Sequence, residues 1–515
     1  MKICKYDLLF VLIALCVLGV FTYFGWQDVD IQFLGFTSGD ELPQFKQLNN
    51  VLEGYLSFDL EKMFRIEFYN YGYIYYLLNV FITAPFNLVE KYDWAIFAPR
   101  FLNGIFSILN LWMVYKIANL YLTKSRSLLL VIFCLLIPGF WHYGYIFKPD
   151  VFQAFFVLCS VYFLCLDNFV YKKNFYLSVL MLGLGIGVAK FQAIMFAPLL
   201  CAYVFIPFLN NPTLKNFWQG CWKSFIVVLC LLLIWVVTNP YLLHPTGARV
   251  WWNAFLLNMH SNATNHESYI DVTLLDKILM EAHYFLSPII VIVIVVIMAM
   301  DTMKRKNPKN VWFCVFFSFF ISMLYLLCFV NKAWGNYYIS SIYLAVVLCI
   351  FLFVKNSKYI VVFLVLQGIN ILIFHSHPLF LKTKRDIATL EVEGQELIVN
   401  LPKIQNTLQD KKILLVGVGD FAYRQIGLNY KNLMKISGDF PSWMVCRRDF
   451  VEKYPYKNPN KYFTQYDLIV VRKNIYQNIK NAKTLEYLED YGYFKIHESK
   501  NFVIYQYQGE RNESH

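Results

Sequence analysis

Charge is the scarcest resource in this sequence. Asp, Glu, Lys and Arg make up 16% of its 515 residues while 58% are hydrophobic, and the mean hydropathy is +0.46. So few polar side chains cannot clothe a water-soluble body of this size, so lipid must be its main solvent. Ordered cysteine spacing is lacking too. Most of the 12 cysteines lie in or beside apolar runs, such as Cys134, Cys159, Cys165, Cys314 and Cys328, and only Cys446 falls in a clearly polar region. That excludes a disulfide framework and a zinc-knuckle spacing. A phosphate-binding P-loop, a metalloprotease helix and a nucleophile elbow are also missing, which removes the usual signatures of ATP hydrolysis, zinc proteolysis and serine-esterase chemistry.

What charge there is leans one way, to a formal net +12. Lys and Arg gather in short clusters between apolar runs, the mark of the positive-inside bias, so membrane lipids and not nucleic acid are the expected partners. The first run, Tyr6 to Trp26, is long enough to span and lacks a small-residue cleavage site, and is expected to remain as a membrane helix. Further runs cover 94–122, 128–147, 151–171, 175–188, 191–208, 224–237, 278–300, 311–330, 338–354 and 359–374, giving about eleven spans. Lys124 with Arg126, Lys172 with Lys173, Lys215, the group Lys304, Arg305, Lys306 and Lys309, and Lys355 with Lys358 occupy alternate connections. With Lys2 and Lys5 they mark the cytoplasmic side.

That register puts Asp40, Lys148 to Asp150, Lys190, the 238–277 loop, Lys332 and everything after Phe374 outside. Counting 71–89 as a span would invert it, so this Tyr-rich stretch reads as an interfacial helix, with Arg65, Glu67 and Tyr69 leading into it. After His375 the composition becomes mixed. Strands are expected at 411–416, 467–471 and 502–505, with helices between. The expected architecture is a polytopic all-α membrane domain over 1–374, with 27–93 as its first outside loop, followed by a small extracytoplasmic α/β domain over 375–515. Gly417-Val418-Gly419-Asp420 fits a loose dinucleotide fingerprint, but nicotinamide cofactors are not expected outside the cell, so a plain strand-to-helix turn is the expected reading.

Polar residues collect on the outer side. Asp40-Glu41 is placed to take a proton from an attacking hydroxyl, though the same pair would serve as a helix cap or a solvated loop. Lys148-Pro149-Asp150 sets a base and an acid at a span end, as catalytic partners of Asp40 or as helix punctuation. Lys190 sits in a short break between two apolar runs, where a cation needs an anion or must snorkel to head groups. Arg249 and Lys332 are further candidates for a phosphate. Glu67 and His260 are the candidate ligands if a divalent metal takes part.

The order of these features resembles the GT-C glycosyltransferases, in particular the family of protein O-mannosyltransferases and lipid A aminoarabinose transferases. An Asp-Glu motif after the first helix is matched by Asp40-Glu41, and Tyr55 lies downstream. The aromatic interfacial stretch is matched by Tyr71 to Tyr76, the following helix start by Arg100-Phe101-Leu102, and the Pro-Asp turn by Pro149-Asp150. A Gly-rich helix end is matched by Ala189-Lys190-Phe191, and a late outside turn by Trp334 to Tyr338. The chain departs from the aminoarabinose transferases at Phe68 to Gly72, where they carry Glu-Lys-Pro, and lacks the mannosyltransferases' His-Pro-Pro. The resemblance therefore implies a polyprenyl-phosphate sugar as donor and leaves open both the sugar and the acceptor, which is a lipid, a glycan or a protein. It also implies a multi-pass protein of a bacterial inner or plasma membrane, N-terminus in the cytoplasm. A lipid or sugar flippase is the competing class, although no repeat relates the two halves. Tags after Arg126 and Lys306 are expected to report inside, and tags after Gly247 and at the C-terminus outside. An inside C-terminus would overturn the register.

Overall fold

The computed structural model describes residues 5–31, 41–66, 71–264, 272–304, 310–374, 413–416, 439–440, 467–472, 488, 492–500 and 502–508. The chain divides into two units. One holds Met1–Gly25, Pro43–Asn258 and Val272–Leu381, the other Trp26–Leu42, Met259–Asp271 and Lys382–His515.

The first unit is a helical membrane bundle. Seven described helices are each long and apolar enough to cross a bilayer, and a pair bent by 102°, Leu274–Tyr284 with Pro288–Lys304, makes up to eight. The remaining three of the eleven apolar runs fall short as single straight helices. Lys173–Ala189 and Lys358–Phe374 are shorter apolar helices, and the 128–147 run breaks at Ile137 into Lys124–Leu135 and Pro138–Tyr143. Apolarity is legible in sequence, but what each broken segment packs against depends on partners far along the chain. The Tyr73–Leu88 helix packs on the Tyr92–Asn119 helix and has only 16 residues, with Pro85 inside it.

Two helices show how the bundle meets its solvent. The Ile339–Lys355 helix is buried on nearly every face, including all of Leu344 to Leu348, as expected of a central, uniformly apolar helix. On the Leu214–Thr238 helix, Trp218, Trp222, Phe225, Leu229 and Leu233 form an exposed apolar stripe, a surface stable only against lipid. Small hydroxyls join neighbouring helices within the core. Ser160 and Ser178 meet at 2.7 Å and Ser322 and Ser341 at 2.8 Å, contacts favoured where no water competes.

In the second unit the described strands are β1 (Ile413–Val416), β2 (Asp439–Phe440), β3 (Leu468–Arg472), β4 (Tyr493–Glu498) and β5 (Phe502–Tyr507), in the order β2-β1-β3-β5-β4. β1 pairs in parallel with β2 and β3, and β5 runs antiparallel to β3 and β4. Leu468, Ile469, Phe502 and Ile504 are buried, which explains why the three longest apolar runs of the tail read as strands. The Gly417 to Asp420 turn and the helices expected between strands lie outside the described residues.

The Asp150–Asp167 helix matters most to the candidate site, and its far end is firmly tied. The buried Asp167 carboxylate accepts hydrogen bonds from the backbone N–H groups of Tyr171, Lys172 and Phe175 at 2.9, 3.0 and 3.3 Å, and from the Tyr203 hydroxyl at 2.7 Å. The loop it organises carries Asn168, Phe169 and Tyr171 at φ of 46°, 63° and 58°, conformations that non-glycine residues adopt only when held. Tyr203 stacks on Phe169 at 4.3 Å. Removing the carboxylate strands three N–H donors and a phenol. We expect Asp167→Ala to lower stability by about 3 kcal/mol or more and Asp167→Asn by less, as read by thermal unfolding in detergent. An unchanged melting temperature in Asp167→Ala would contradict this account.

Candidate active site

A polar stripe on the Tyr92–Asn119 helix builds the first part of the site. Asn103, Ser107 and Asn110, spaced four and three residues apart, share one face and are buried. Each donates to a carbonyl in the irregular segment that leads into the Asp150 helix or in the first turn of that helix. Asn103 reaches the carbonyls of Ile146 and, at 2.9 Å, Lys148; Ser107 reaches Gly144 at 2.6 Å, and Asn110 reaches Val151 at 2.9 Å. Non-helical backbone inside a membrane bundle persists only when its polar groups find such partners. Asp150 is thereby delivered to the start of its helix.

The second part is a break in the opposite wall. The Lys173–Leu184 helix passes into a π-turn over Gly185–Ala189, closed by Lys190 N–H donating to the Gly185 carbonyl at 3.1 Å. Lys190 itself is extended, at φ −151° and ψ 128°, before the 3₁₀ turn Phe191–Phe196. Two other segments clamp this break. Gly72 N–H donates to the Ala189 carbonyl at 3.0 Å. Asn239 donates to the Gly187 carbonyl and accepts from Tyr73 N–H, both at 2.9 Å. The fit needs glycine, since a Cβ on Gly72 would lie 2.2 Å from the carbonyl oxygens of Gly187 and Val188.

The two parts meet in one ion pair. Lys190 Nζ donates to Asp150 Oδ1 at 3.0 Å, with only 8% and 3% of the two side chains exposed. Above the ammonium stand two aromatic faces, Tyr337 with its ring centre 4.6 Å away and Tyr71 at 5.5 Å, within cation–π range. Asp150 Oδ2 is buried and meets no hydrogen-bond donor among the described residues. Tyr337 belongs to the Gly335–Tyr338 turn, and Gly335 donates a backbone hydrogen bond to Tyr143. The site thus holds a paired cation under aromatic cover and one carboxylate oxygen with spare accepting capacity, an arrangement suited to an anion beside the lysine and a hydroxyl beside the acid.

With that geometry in view, the likeness to known proteins is informative. Residues 76–238 match the family model of the dolichyl-phosphate-mannose-protein mannosyltransferases. No curated protein sequence gives a significant match. Among solved structures, ArnT from Cupriavidus metallidurans bound to undecaprenyl phosphate superposes with a TM-score of 0.52 at 10% identity, over 97% of both chains. Its apo form gives 0.53 at 11%, also over 97% of each. The archaeal oligosaccharyltransferase AglB from Archaeoglobus fulgidus, in complex with an inhibitory peptide and a dolichol-phosphate, gives 0.50 at 13%, over 96% of this chain and 74% of that one. This chain has the GT-C fold.

In this GT-C protein the residues expected to act are placed unevenly. Asp150 and Lys190 form the pair described above. Lys148 is buried two residues before Asp150, and Lys332 is buried with its ammonium 4.7 Å from the Trp334 ring centre. Glu41 is buried at the first position of the Glu41–Ser57 helix. One turn on, Phe45 packs on Phe147 at 4.8 Å and Gln44 accepts from the Tyr76 hydroxyl. Asp40 and Glu67 lie outside the described residues. The 238–277 stretch, expected to be a loop, forms a helix over Pro245–Thr264, and Arg249 and His260 on it are exposed.

Among the described residues no three His, Cys, Asp or Glu gather as a metal ion requires; Glu67, one of the two candidate ligands, lies outside them. Sequence reasoning passed over Tyr71 and Tyr337 as covers for Lys190, and over the Asn103, Ser107 and Asn110 stripe. The spacing of that stripe was the available signal.

A buried pair of this kind costs more to break than to remove. We expect Asp150→Asn and Lys190→Gln each to lower stability by about 3 kcal/mol, because each leaves one charge buried alone. The double variant should recover much of that loss, a non-additivity readable in a double-mutant cycle of thermal unfolding. Additive losses would show that the pair is not coupled.

Proposed function

We propose that this protein is a glycosyltransferase that moves a sugar from a polyprenyl-phosphate donor to a hydroxyl acceptor at the outer face of a bacterial inner or plasma membrane. The observation that carries the reading is the buried Asp150–Lys190 pair under Tyr71 and Tyr337, set in a GT-C fold. The resemblance to ArnT bound to undecaprenyl phosphate and to AglB in complex with a dolichol-phosphate supports a lipid-phosphate donor, as does the mannosyltransferase match over 76–238.

In this mechanism the acceptor oxygen forms a bond to the anomeric carbon while the bond from that carbon to the lipid phosphate oxygen breaks. The electron pair leaves with the phosphate, and the hydroxyl proton passes to the Asp40 carboxylate. Lys190 offsets the charge developing on the leaving phosphate, with Lys148 and Lys332 as further cations. Asp150 holds the lysine in place, and its second oxygen can orient the incoming hydroxyl. A flippase would need the lipid phosphate to leave this pair unchanged and cross the bilayer, and nothing in the site calls for such a step.

The test is transfer by purified protein from a synthetic polyprenyl-phosphate sugar. Asp40→Asn should keep its fold and lose about a hundredfold or more of turnover, the usual scale of a lost general base. Were Asp40 only a helix cap, Asn would serve about as well, so wild-type turnover in Asp40→Asn would remove it from catalysis. Lipid movement by the wild type with no sugar transfer from a range of donors would favour the flippase.

A further inference from the structure

Tyr71, whose ring stands over Lys190, also lines a second pocket. Its aromatic lining is Phe64, Tyr71, Tyr73, Tyr241 and Trp251, five of the ten residues that line it, with Asn239 at its back. These rings are held before any ligand arrives. Trp251 packs on Phe191 at 4.9 Å and on Trp235 at 4.7 Å. Tyr73 shares a hydrogen bond with the Tyr55 hydroxyl, and Tyr241 stacks on His244 with ring planes 7° apart. Charge at the rim is balanced. Glu61 Oε1 pairs with Arg65 at 2.9 Å and accepts from the Tyr241 hydroxyl at 3.4 Å.

From this lining we infer that the pocket is an acceptor subsite for a neutral pyranose unit of a glycan. The inference rests on the glycosyltransferase reading and deepens it. Flat aromatic faces suit the apolar C–H faces of a sugar ring, and the polar tips of tyrosines and a balanced ion pair suit its hydroxyls. A peptide strand would pair through free backbone groups along the wall, and four of the N–H groups there are already spent. Gly72 N–H goes to Ala189, Tyr73 N–H to the Asn239 side chain, Leu242 N–H to Asn239 and His244 N–H to Tyr241. An acyl chain would find mainly rings, since Ile66 and Leu242 are the only large aliphatic side chains in the lining. Because Tyr71 is common to both places, with its ring centre 5.5 Å from Lys190 Nζ, a sugar seated here shares a wall residue with the cation's site.

The experiment needs no donor. Tryptophan fluorescence of the purified full-length protein is titrated with neutral trisaccharides of mannose, galactose and glucose. At least one should give a saturable change. Tyr241→Ala should weaken that binding at least tenfold while Tyr241→Phe keeps most of it. Ala254→Trp, which fills the pocket without removing a wall, should also weaken it at least tenfold. Thermal unfolding confirms that each variant is folded. No saturable signal with any trisaccharide, or binding unaffected by both Tyr241→Ala and Ala254→Trp, overturns the inference, as does saturation by a peptide or lysophospholipid where the sugars fail. Trisaccharide binding without sugar transfer would sink the catalytic reading alone, and transfer to other acceptors without trisaccharide binding would sink this one alone.

Discussion

A lysine ammonium and an aspartate carboxylate buried together near the ends of membrane helices can each exist there only because of the other. Separately, either would carry a desolvation cost that the bundle could not offset. Joined at 3.0 Å and covered by two tyrosine rings, they draw two interrupted stretches of chain into one place. One is the turn at Pro149-Asp150, the other the π-turn and 3₁₀ turn on either side of Lys190. Much else in the bundle can be read as what that meeting requires. The Asn103, Ser107 and Asn110 stripe satisfies one interruption. Gly72 and Asn239 brace the other, and the Asp167 knot fixes the far end of the helix that bears Asp150.

The bundle was largely legible in sequence because lipid imposes one simple rule, a long apolar run per crossing. The strands Ile413–Val416, Leu468–Arg472 and Phe502–Tyr507 were legible for a related reason, since each is a short apolar run paired within a sheet. The rule falters where the chain stops being regular. Pro138 was a local signal that 128–147 would divide at Ile137, and Pro245 a weaker one that a helix would begin there, but what either helix packs against is decided by other segments.

At the site the ingredients were visible and the pairing was not. Asp150 and Lys190 each stood out as a charge against apolar surroundings, but they lie 40 positions apart, and no periodicity links them. Tyr71 and Tyr337 were quoted only as parts of aromatic stretches, since 37 Tyr residues leave no single one conspicuous. Arg249 and His260 stood out equally as chemistry-bearing residues, and the helix that carries them leaves both exposed. Sequence gives residue type and depth; direction comes from the fold.

Gly72 has a consequence beyond packing. With the carbonyls of Gly187 and Val188 pressed against its missing side chain, Gly72 brings two backbone segments into contact beside Lys190, so the place of the ammonium is built into the packed backbone. Enzyme electrostatics are most effective when dipoles and charges need not reorganise as the reaction proceeds. A methyl group at position 72 would force those carbonyls away and displace the Lys190 segment, moving a charge without touching any ionisable residue.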